Sequence, residues 1–384
     1  MKTEIKNLKK AAARILAAIK NRENVLLYGD ADLDGVSSVI ILKEAIKSLG
    51  GKVAAVYFPD REKEGYGITT KGLRYLKKYS PALLIALDCG IGNFKEVETA
   101  RAWGLETIII DHHEILDGLP KASIIVDPKQ KDDEYSFKYF ATAGLAFKLA
   151  EAMFQGRMPD SFRNNLLELA ALATISDMMP KVSENAKIIS HGLNSISSSW
   201  RPAIQTLFHI SRLKDFNFLE KVYKINSLLN VRDVKERLPA AYRLLISPSK
   251  KEAAKLTERL YKKGRERARR IAEITEEVES RILKKGLEPI IFDGKSSWEL
   301  AYLGVVASIL TQRYKKAIFL YKEGKIESQG GARAPKGFNL VEAMKGFSKN
   351  LITYGGHPQA GGFRIKNEYL KSFKEHLAKY SSNL

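Results

Sequence analysis

The sequence holds a single cysteine, Cys89, among 384 residues. No intrachain disulfide can form, so buried apolar surface has to hold the fold, and a reducing cytoplasm is the expected compartment. As a small, readily buried residue, Cys89 needs no catalytic role. Nowhere does the chain offer a run of about 18 apolar residues, which excludes a membrane-spanning helix on length alone. The opening segment, MKTEIKNLKKAAARILAAIKNREN, lacks the apolar core and small-residue cleavage site of a signal peptide and reads as an amphipathic helix. No fixed-period repeat and no low-complexity tract is present. Negative charge is scarce: 44 Asp and Glu face 64 Lys and Arg, a net charge of +20. That surplus favours an anionic partner, with nucleic acid ahead of a membrane surface. A generic basic surface kept for solubility is the plainer alternative.

A length of 384 residues implies about two domains, or two with a connector, and 45% apolar with 28% charged residues suits a globular protein with real cores. From Val25 to Asp127, strand-like apolar runs at 25–28, 53–58, 82–87, 107–110 and 123–126 alternate with helical patterns at 36–49, 69–79 and 93–103. The alternation predicts βαβ units and an α/β fold, with a mainly parallel five-stranded sheet flanked by helices. Helical patterns continue at 139–156 and 161–176, and across 184–248 with breaks at Gly192, Pro202, Pro239 and Pro248. A long charged helix is predicted over 250–285. Its basic half (262–270) suits a solvated connector better than phosphate contact through Arg265, Arg267, Arg269 or Arg270. After Gly286 a smaller α/β unit is predicted, with PIIF, a helix near 301–314, AIFLY and KIESQGGAR, then a helix from 338, the glycine-rich GGHPQAGGF (355–363) and a last helix near 367–380. The expected divisions are 1–249, a connecting helix over 250–286, and 287–384.

The rest of the chain is organised around Asn24 to Ser38, NVLLYGDADLDGVSS. After an apolar run, Asp30, Asp32 and Asp34 stand at alternate positions, which share one face of an extended segment. Three carboxylates so close repel unless a cation neutralises them. The plainer reading is an acidic turn with Asp34 as the N-cap of the next helix. Other segments end in Asp88, Asp111-His112-His113, Asp127 and Asp177, and open α/β sheets bind ligands at the carboxyl ends of their strands. Carboxylates with one or two imidazoles and no thiolate suit manganese or magnesium better than a cysteine-rich zinc site. Two such ions about 3.5–4 Å apart can clamp a phosphoryl group and activate a water for in-line attack. For His112-His113 the alternative is a helix-capping pair.

With these motifs in this order, the sequence resembles the DHH phosphoesterase superfamily, whose name-giving motif stands here as Asp111-His112-His113. Within it, the chain resembles the RecJ family of single-strand-specific exonucleases. GDADLDG, ALDCGIGN, IDHHEI with PKASIIVDP, and LATISDMMP are similar to that family's motifs, as are FPDREKEGYG (58–67) and TAGLAFKLA (142–150). GVVAS (304–308), GGARAPKGFNLVEAM (330–344) and YGGHPQAGGF (354–363) resemble the DHHA1 domain that follows DHH in this family. The resemblance implies that Asp30, Asp32 and Asp88 hold one divalent cation, and that Asp34, Asp88, His112 and Asp177 hold a second, with Mn2+ preferred over Mg2+. It implies that His113 contacts the scissile phosphate, that Asp111 orients a histidine, and that the nucleophile comes from water, so no Ser or Cys is needed. Arg61 and Arg333 match the family's phosphate-facing arginines, and Gly355, Gly356 and His357 match a segment where backbone approaches nucleic acid.

Three departures accompany the match. Gly331 stands where the family has a serine, and Asn230, in KINSLLNVR (224–232), stands where it has an arginine, with Arg232 as a candidate substitute. The sequence also stops after the DHHA1-like segment, where the family continues into an OB-fold, so capture of long strands is expected to be weak unless a single-strand-binding protein supplies that platform in trans. The leading expectation is a cytoplasmic, metal-dependent 5′-to-3′ exonuclease on single-stranded DNA in repair and recombination. The alternative is a DHH/DHHA1 phosphodiesterase of short oligonucleotides or cyclic dinucleotides. A replication scaffold without metal ligands is disfavoured, because every matched ligand is present.

Overall fold

The computed structural model describes residues 4–61, 63–115, 118–231 and 233–384, apart from the side chains of Lys285 and His357. The chain divides into two units that meet between Tyr261 and Lys262. In the first, the elements run α1 (Leu8–Lys20), β1 (Asn24–Gly29), α2 (Leu33–Ser48), β2 (Val53–Tyr57), α3 (Thr70–Leu76), β3 (Ala82–Leu87), α4 (Phe94–Ala102), β4 (Leu105–Ile110) and β5 (Ile124–Val126). There follow α5 (Thr142–Phe154), α6 (Asp160–Ser176), α7 (Ser183–Ser195), α8 (Pro202–Phe208), α9 (Phe218–Leu229), the short strands β6 (Val234–Lys235) and β7 (Leu238–Pro239), α10 (Ala240–Leu245) and α11 (Lys250–Lys285).

The first five strands form one sheet in the order β2-β1-β3-β4-β5, with every pairing parallel. The composition explains why. β3 reads ALLIAL and is buried at every position, as a central strand covered on both faces must be. Leu27, Ile85 and Ile108 face one core, shared with Ile15 of α1, Ile40 of α2, Leu149 of α5 and Leu169 of α6. Their neighbours Leu26, Leu84 and Ile109 face the other, with Leu73 of α3 and Val97 of α4. After β1 the chain pairs β2 on one side and then crosses to β3 on the other. That reversal leaves a crevice at the carboxyl ends of β1 and β3, where open sheets take their ligands.

The hairpin of β6 and β7 was not expected from the sequence; two residues per strand are too few for a periodic pattern. Helix α11 is unbroken over residues 250–285. Its Ala253 and Leu260 lie in the first unit's core, and its Ile274 and Val278 lie in a core of the second. Of the arginines in its basic half, Arg269 pairs with Glu273 and Arg270 with both Glu273 and Glu299.

The second unit continues with β8 (Ile291–Gly294), α12 (Leu300–Tyr314), β9 (Ile318–Lys322), β10 (Glu327–Arg333), α13 (Leu340–Lys345), β11 (Leu351–His357), β12 (Ala360–Lys366) and α14 (Leu370–Ser382). Its sheet runs β11-β12-β10-β9-β8, parallel only between β8 and β9. Leu303 and Val306 of α12 pack on Ile318 and Leu320, while Phe319 and Phe363 on the opposite face meet Met344 and Phe373. The glycine-rich 355–363 stretch forms most of the β11–β12 hairpin. Gly356 has φ 131°, a conformation that side chains rarely adopt, and a Cβ there would collide with the Ala360 carbonyl.

Candidate metal centre

Asp30, Asp88 and Asp111 each follow a strand directly, and the sheet's hydrogen bonding carries on into them. The Asp30 N–H donates to the Leu87 carbonyl (3.2 Å), that of Asp88 to Ile110 (3.0 Å) and that of Asp111 to Val126 (3.1 Å). The first residue past each strand is therefore registered against its neighbour. Asp88 bends away from its strand in the left-handed region, φ 63°, which is costly for a residue with a side chain and typical of functional turns.

Helix α2 begins two residues sooner than a cap at Asp34 would place it. Asp32, not Asp34, is its N-cap: the Asp32 carboxylate accepts from the N–H groups of Asp34 and Gly35, both at 3.1 Å. Asp34 thus enters the helix and points inward, 2% exposed. Gly35 makes this possible, because a Cβ there would run into the Asp30 backbone. The other half of the cradle is the N-terminus of α5. Thr142 and Ala143 donate their N–H groups to the two Asp34 carboxylate oxygens (2.8 Å each), and the Thr142 hydroxyl donates to Asp88 Oδ1 (3.1 Å). The segment TAGLAFKLA had drawn attention in the sequence without a role; its hydroxyl and helix end support two carboxylates.

Three sets of donor atoms lie within 4.8 Å of one another: Asp30, Asp32 and Asp88; Asp34, His112 and Asp177; and Asp88, His112 and His113. His112 Nε2 faces Asp88 Oδ1 at 3.4 Å, Asp177 Oδ2 at 3.5 Å and Asp34 Oδ2 at 3.9 Å. These separations exceed hydrogen-bond length, and the buried Asp177 Oδ2 has no hydrogen-bond donor among the described residues. Beside them, the Asp111 carboxylate accepts from His113 Nδ1 (2.7 Å) and from the N–H groups of Ile91 (3.1 Å) and His112 (2.8 Å). Tyr66, on the segment 58–67, reaches in as well; its hydroxyl donates to the Asp88 carbonyl (3.1 Å) and lies 3.3 Å from His113 Nε2.

The electrostatics follow from this crowding. Burial, then the charges of Asp177 and Asp32, push the Asp34 carboxyl well above its ordinary range. Burial and the neighbouring Asp34 and Asp32 do the same to Asp88. Asp177 is pushed up to about 6 by burial and by Asp32. Burial, with the nearby His113, lowers His112 to about 4, so its imidazole is neutral at physiological pH. Burial alone would raise Asp111 and lower His113, but their mutual hydrogen bond overrides it and moves both the other way. A neutral imidazole and crowded carboxylates that resist ionisation form a donor set that fits hard divalent cations.

Arg61 does not stand apart for a phosphate here. Its guanidinium pairs with Asp30 and, at 3.0 Å, with Asp32, and it lies 5.3 Å from the Tyr66 ring centre. Arg333 is in the second unit, where it donates to the Ala332 carbonyl (2.8 Å) and lies against Gly304. Burial lowers its pKa, and it forms no ion pair among the described residues. Gly331, Gly362 and Gly355 are direct neighbours across β10, β12 and β11. A Cβ at any of the three would meet nothing closer than 3.6 Å, so this row of bare backbone is not forced by packing. The Arg232 expectation and the His357 side chain lie outside the described residues.

A model of the DHH family, N-terminal domain, matches residues 24–174, and the DHHA1 domain matches residues 287–383. The single-stranded-DNA-specific exonuclease RecJ of Bacillus subtilis (strain 168) is 35% identical over 385 residues, 99% of this chain and 48% of that protein. Its namesake from Thermus thermophilus is 28% identical over 98% of this chain and 55% of its own length. The chain thus spans about half the length of these curated relatives. Among solved structures, exonuclease RecJ bound to manganese superposes with a TM-score of 0.83 at 25% identity, covering 99% of this chain and 96% of that one. RecJ from Thermus thermophilus in complex with Mn2+ shares the fold, with a TM-score of 0.85 at 24% identity over 99% of this chain and 55% of that one. Residues 24–174 are thus a DHH-family domain and residues 287–383 a DHHA1 domain, in a chain similar to RecJ along nearly its whole length.

Proposed function

We propose that this protein is a divalent-metal-dependent exonuclease that hydrolyses single-stranded DNA from the 5′ end, acting in the cytoplasm in repair and recombination. The observation that carries the reading is the pair of adjoining donor sets, Asp30, Asp32 and Asp88 beside Asp34, His112 and Asp177. Asp88 Oδ1 is 3.4 Å from His112 Nε2, close enough for Asp88 to serve both. Two cations held there, Mn2+ or Mg2+, would neutralise phosphate oxygens and make a water acidic enough to attack. In this reading Asp30, Asp32, Asp34, Asp88, His112 and Asp177 hold the cations. Asp111 fixes the His113 ring through Nδ1, leaving Nε2 to meet the scissile phosphate. Arg333 would take phosphate oxygens with its forked donors, and Arg61 would do so when a cation takes its place on Asp30 and Asp32. Gly355, Gly356 and His357 belong to the segment where a strand's backbone comes close.

The test is digestion of end-labelled DNA and RNA, from dinucleotides to long strands, with Mn2+ or with EDTA. Release of nucleotides from the 5′ end of single-stranded DNA, abolished by EDTA, is the expected result. Cleavage confined to the shortest oligonucleotides or to cyclic dinucleotides would replace this reading with the short-substrate one.

A further inference from the structure

Helix α9 lies along α6 and is tied to it by two asparagines one turn apart. Asn226 Nδ2 donates to the Leu172 carbonyl (2.9 Å), and Asn230 Nδ2 donates to Ser176 Oγ (2.7 Å). Asn230 makes one bond more. Its Oδ1 accepts the N–H of Leu33 (3.1 Å), 197 residues away in the chain. Leu33 is the first residue of α2, whose leading N–H groups have no partner inside the helix. The Asp32 carboxylate serves those of Asp34 and Gly35, and Asn230 serves the remaining one.

The two ends of this carboxamide sit on the two acidic segments. Leu33 stands between Asp32 and Asp34, and Ser176 precedes Asp177. We infer that Asn230 is a positioning residue, a strut that sets the spacing between the 30–34 loop and Asp177 and so the geometry of the cation-binding donors. The inference rests on the cation reading above. An arginine, which the family resemblance leads one to expect here, has donors but no acceptor and could not receive the Leu33 N–H. In this chain the residue acts as an internal spacer rather than as the phosphate donor that the resemblance leads one to expect. Its amide is turned inward at both ends.

The experiment is calorimetric titration of the full chain with Mn2+ in the absence of substrate, paired with thermal unfolding in EDTA. Asn230→Ala should weaken Mn2+ binding about tenfold, the usual scale for loss of a group behind the ligands, and lower the unfolding midpoint in EDTA as well, because two hydrogen bonds are lost. Asn230→Arg should lose as much, for want of an acceptor. Ser176→Ala frees only one end and should cost less. Asn226→Ala removes an α9–α6 bond without touching the acidic loop, so it should lower the midpoint and leave Mn2+ affinity intact. Wild-type affinity in folded Asn230→Ala overturns the strut, and so does an equal loss in Asn226→Ala. Should Asn230→Ala fail to fold, unchanged affinity in Ser176→Ala overturns it instead. A wild-type chain that binds no Mn2+ overturns the cation reading itself.

Discussion

Asp88 carries a conflict between stability and chemistry in one side chain. It is buried beside Asp34 and Asp32, which raises its carboxyl well above the ordinary range, and its backbone is left-handed. Asp88→Asn keeps the shape and can still accept the Thr142 hydroxyl, but it removes the charge. Phosphodiester cleavage should vanish and Mn2+ affinity fall by at least about tenfold. The melting midpoint in EDTA should hold or rise, because a buried charge among like charges has been relieved. Retained cleavage by a folded Asp88→Asn protein would sink the proposed role. The acids themselves were legible in the sequence, since each closes an apolar run and the three near the start alternate. Thr142 and Asn230 were not. Their bonds reach Asp88, 54 residues away, and Leu33, 197 residues away, and nothing in local spacing marks such partners.

Elements were readable where burial imposed a long apolar run and obscure where chain geometry decided. The strand runs at 82–87 and the helix at 250–285 match in full, because a doubly covered strand and a ten-turn amphipathic helix leave a clear period. The start of α2 was misjudged by the capping alternative, which gave the N-cap to Asp34; nothing in the composition says which of three alternate aspartates a helix will choose. The β11–β12 hairpin was hidden by its glycines, which supply no alternating side chains. At this scale the N-terminus of α5 makes its own prediction. Ala141 is extended, φ −74° and ψ 156°, and so suits a following proline, and the first turn of a helix tolerates one. Thr142→Pro should fold, yet it loses the N–H to Asp34 and the hydroxyl to Asp88 together. Mn2+ affinity measured by calorimetry should drop about tenfold or more; an unaltered value would mean that the helix end does not support the donors.

For the molecule as a whole, pH acts through a carboxyl far from the metal centre. Glu168 of α6 is fully buried, and it accepts the Ser199 hydroxyl at Oε2 (2.6 Å). Burial pushes it from 4.5 up to about 7. A carboxyl raised in the folded state binds its proton more tightly there than in the unfolded chain. Its contribution is thus complete below about pH 4.5 and is lost as pH rises to about 7. The loss is of order 3 kcal/mol at most. Glu168→Gln, neutral throughout, should match the wild type in acid and melt a few degrees higher at pH 8, by about 2–4 °C per kcal/mol for a domain this large. Equal midpoints at pH 8 would show that the carboxyl finds its own compensation. No sequence pattern pointed to this group, because an apolar helix with one glutamate looks the same whether the glutamate faces water or the core.

Every proposed ligand from the first sheet lies on one rim, past the carboxyl ends of strands that run side by side. The turns that feed those strands open onto the opposite rim, about 17–20 Å away for strands of this length. Gly50, with φ 82° and no atom near where a Cβ would stand, is exposed on that far side. The protein accordingly has an engineering handle. A short Gly-Ser insert or a fluorophore-bearing peptide between Gly50 and Gly51 should leave cleavage at the wild-type rate, whereas the same insert between Gly90 and Ile91 should abolish it. The two rims make a single sheet both a reaction platform and a site for attaching probes.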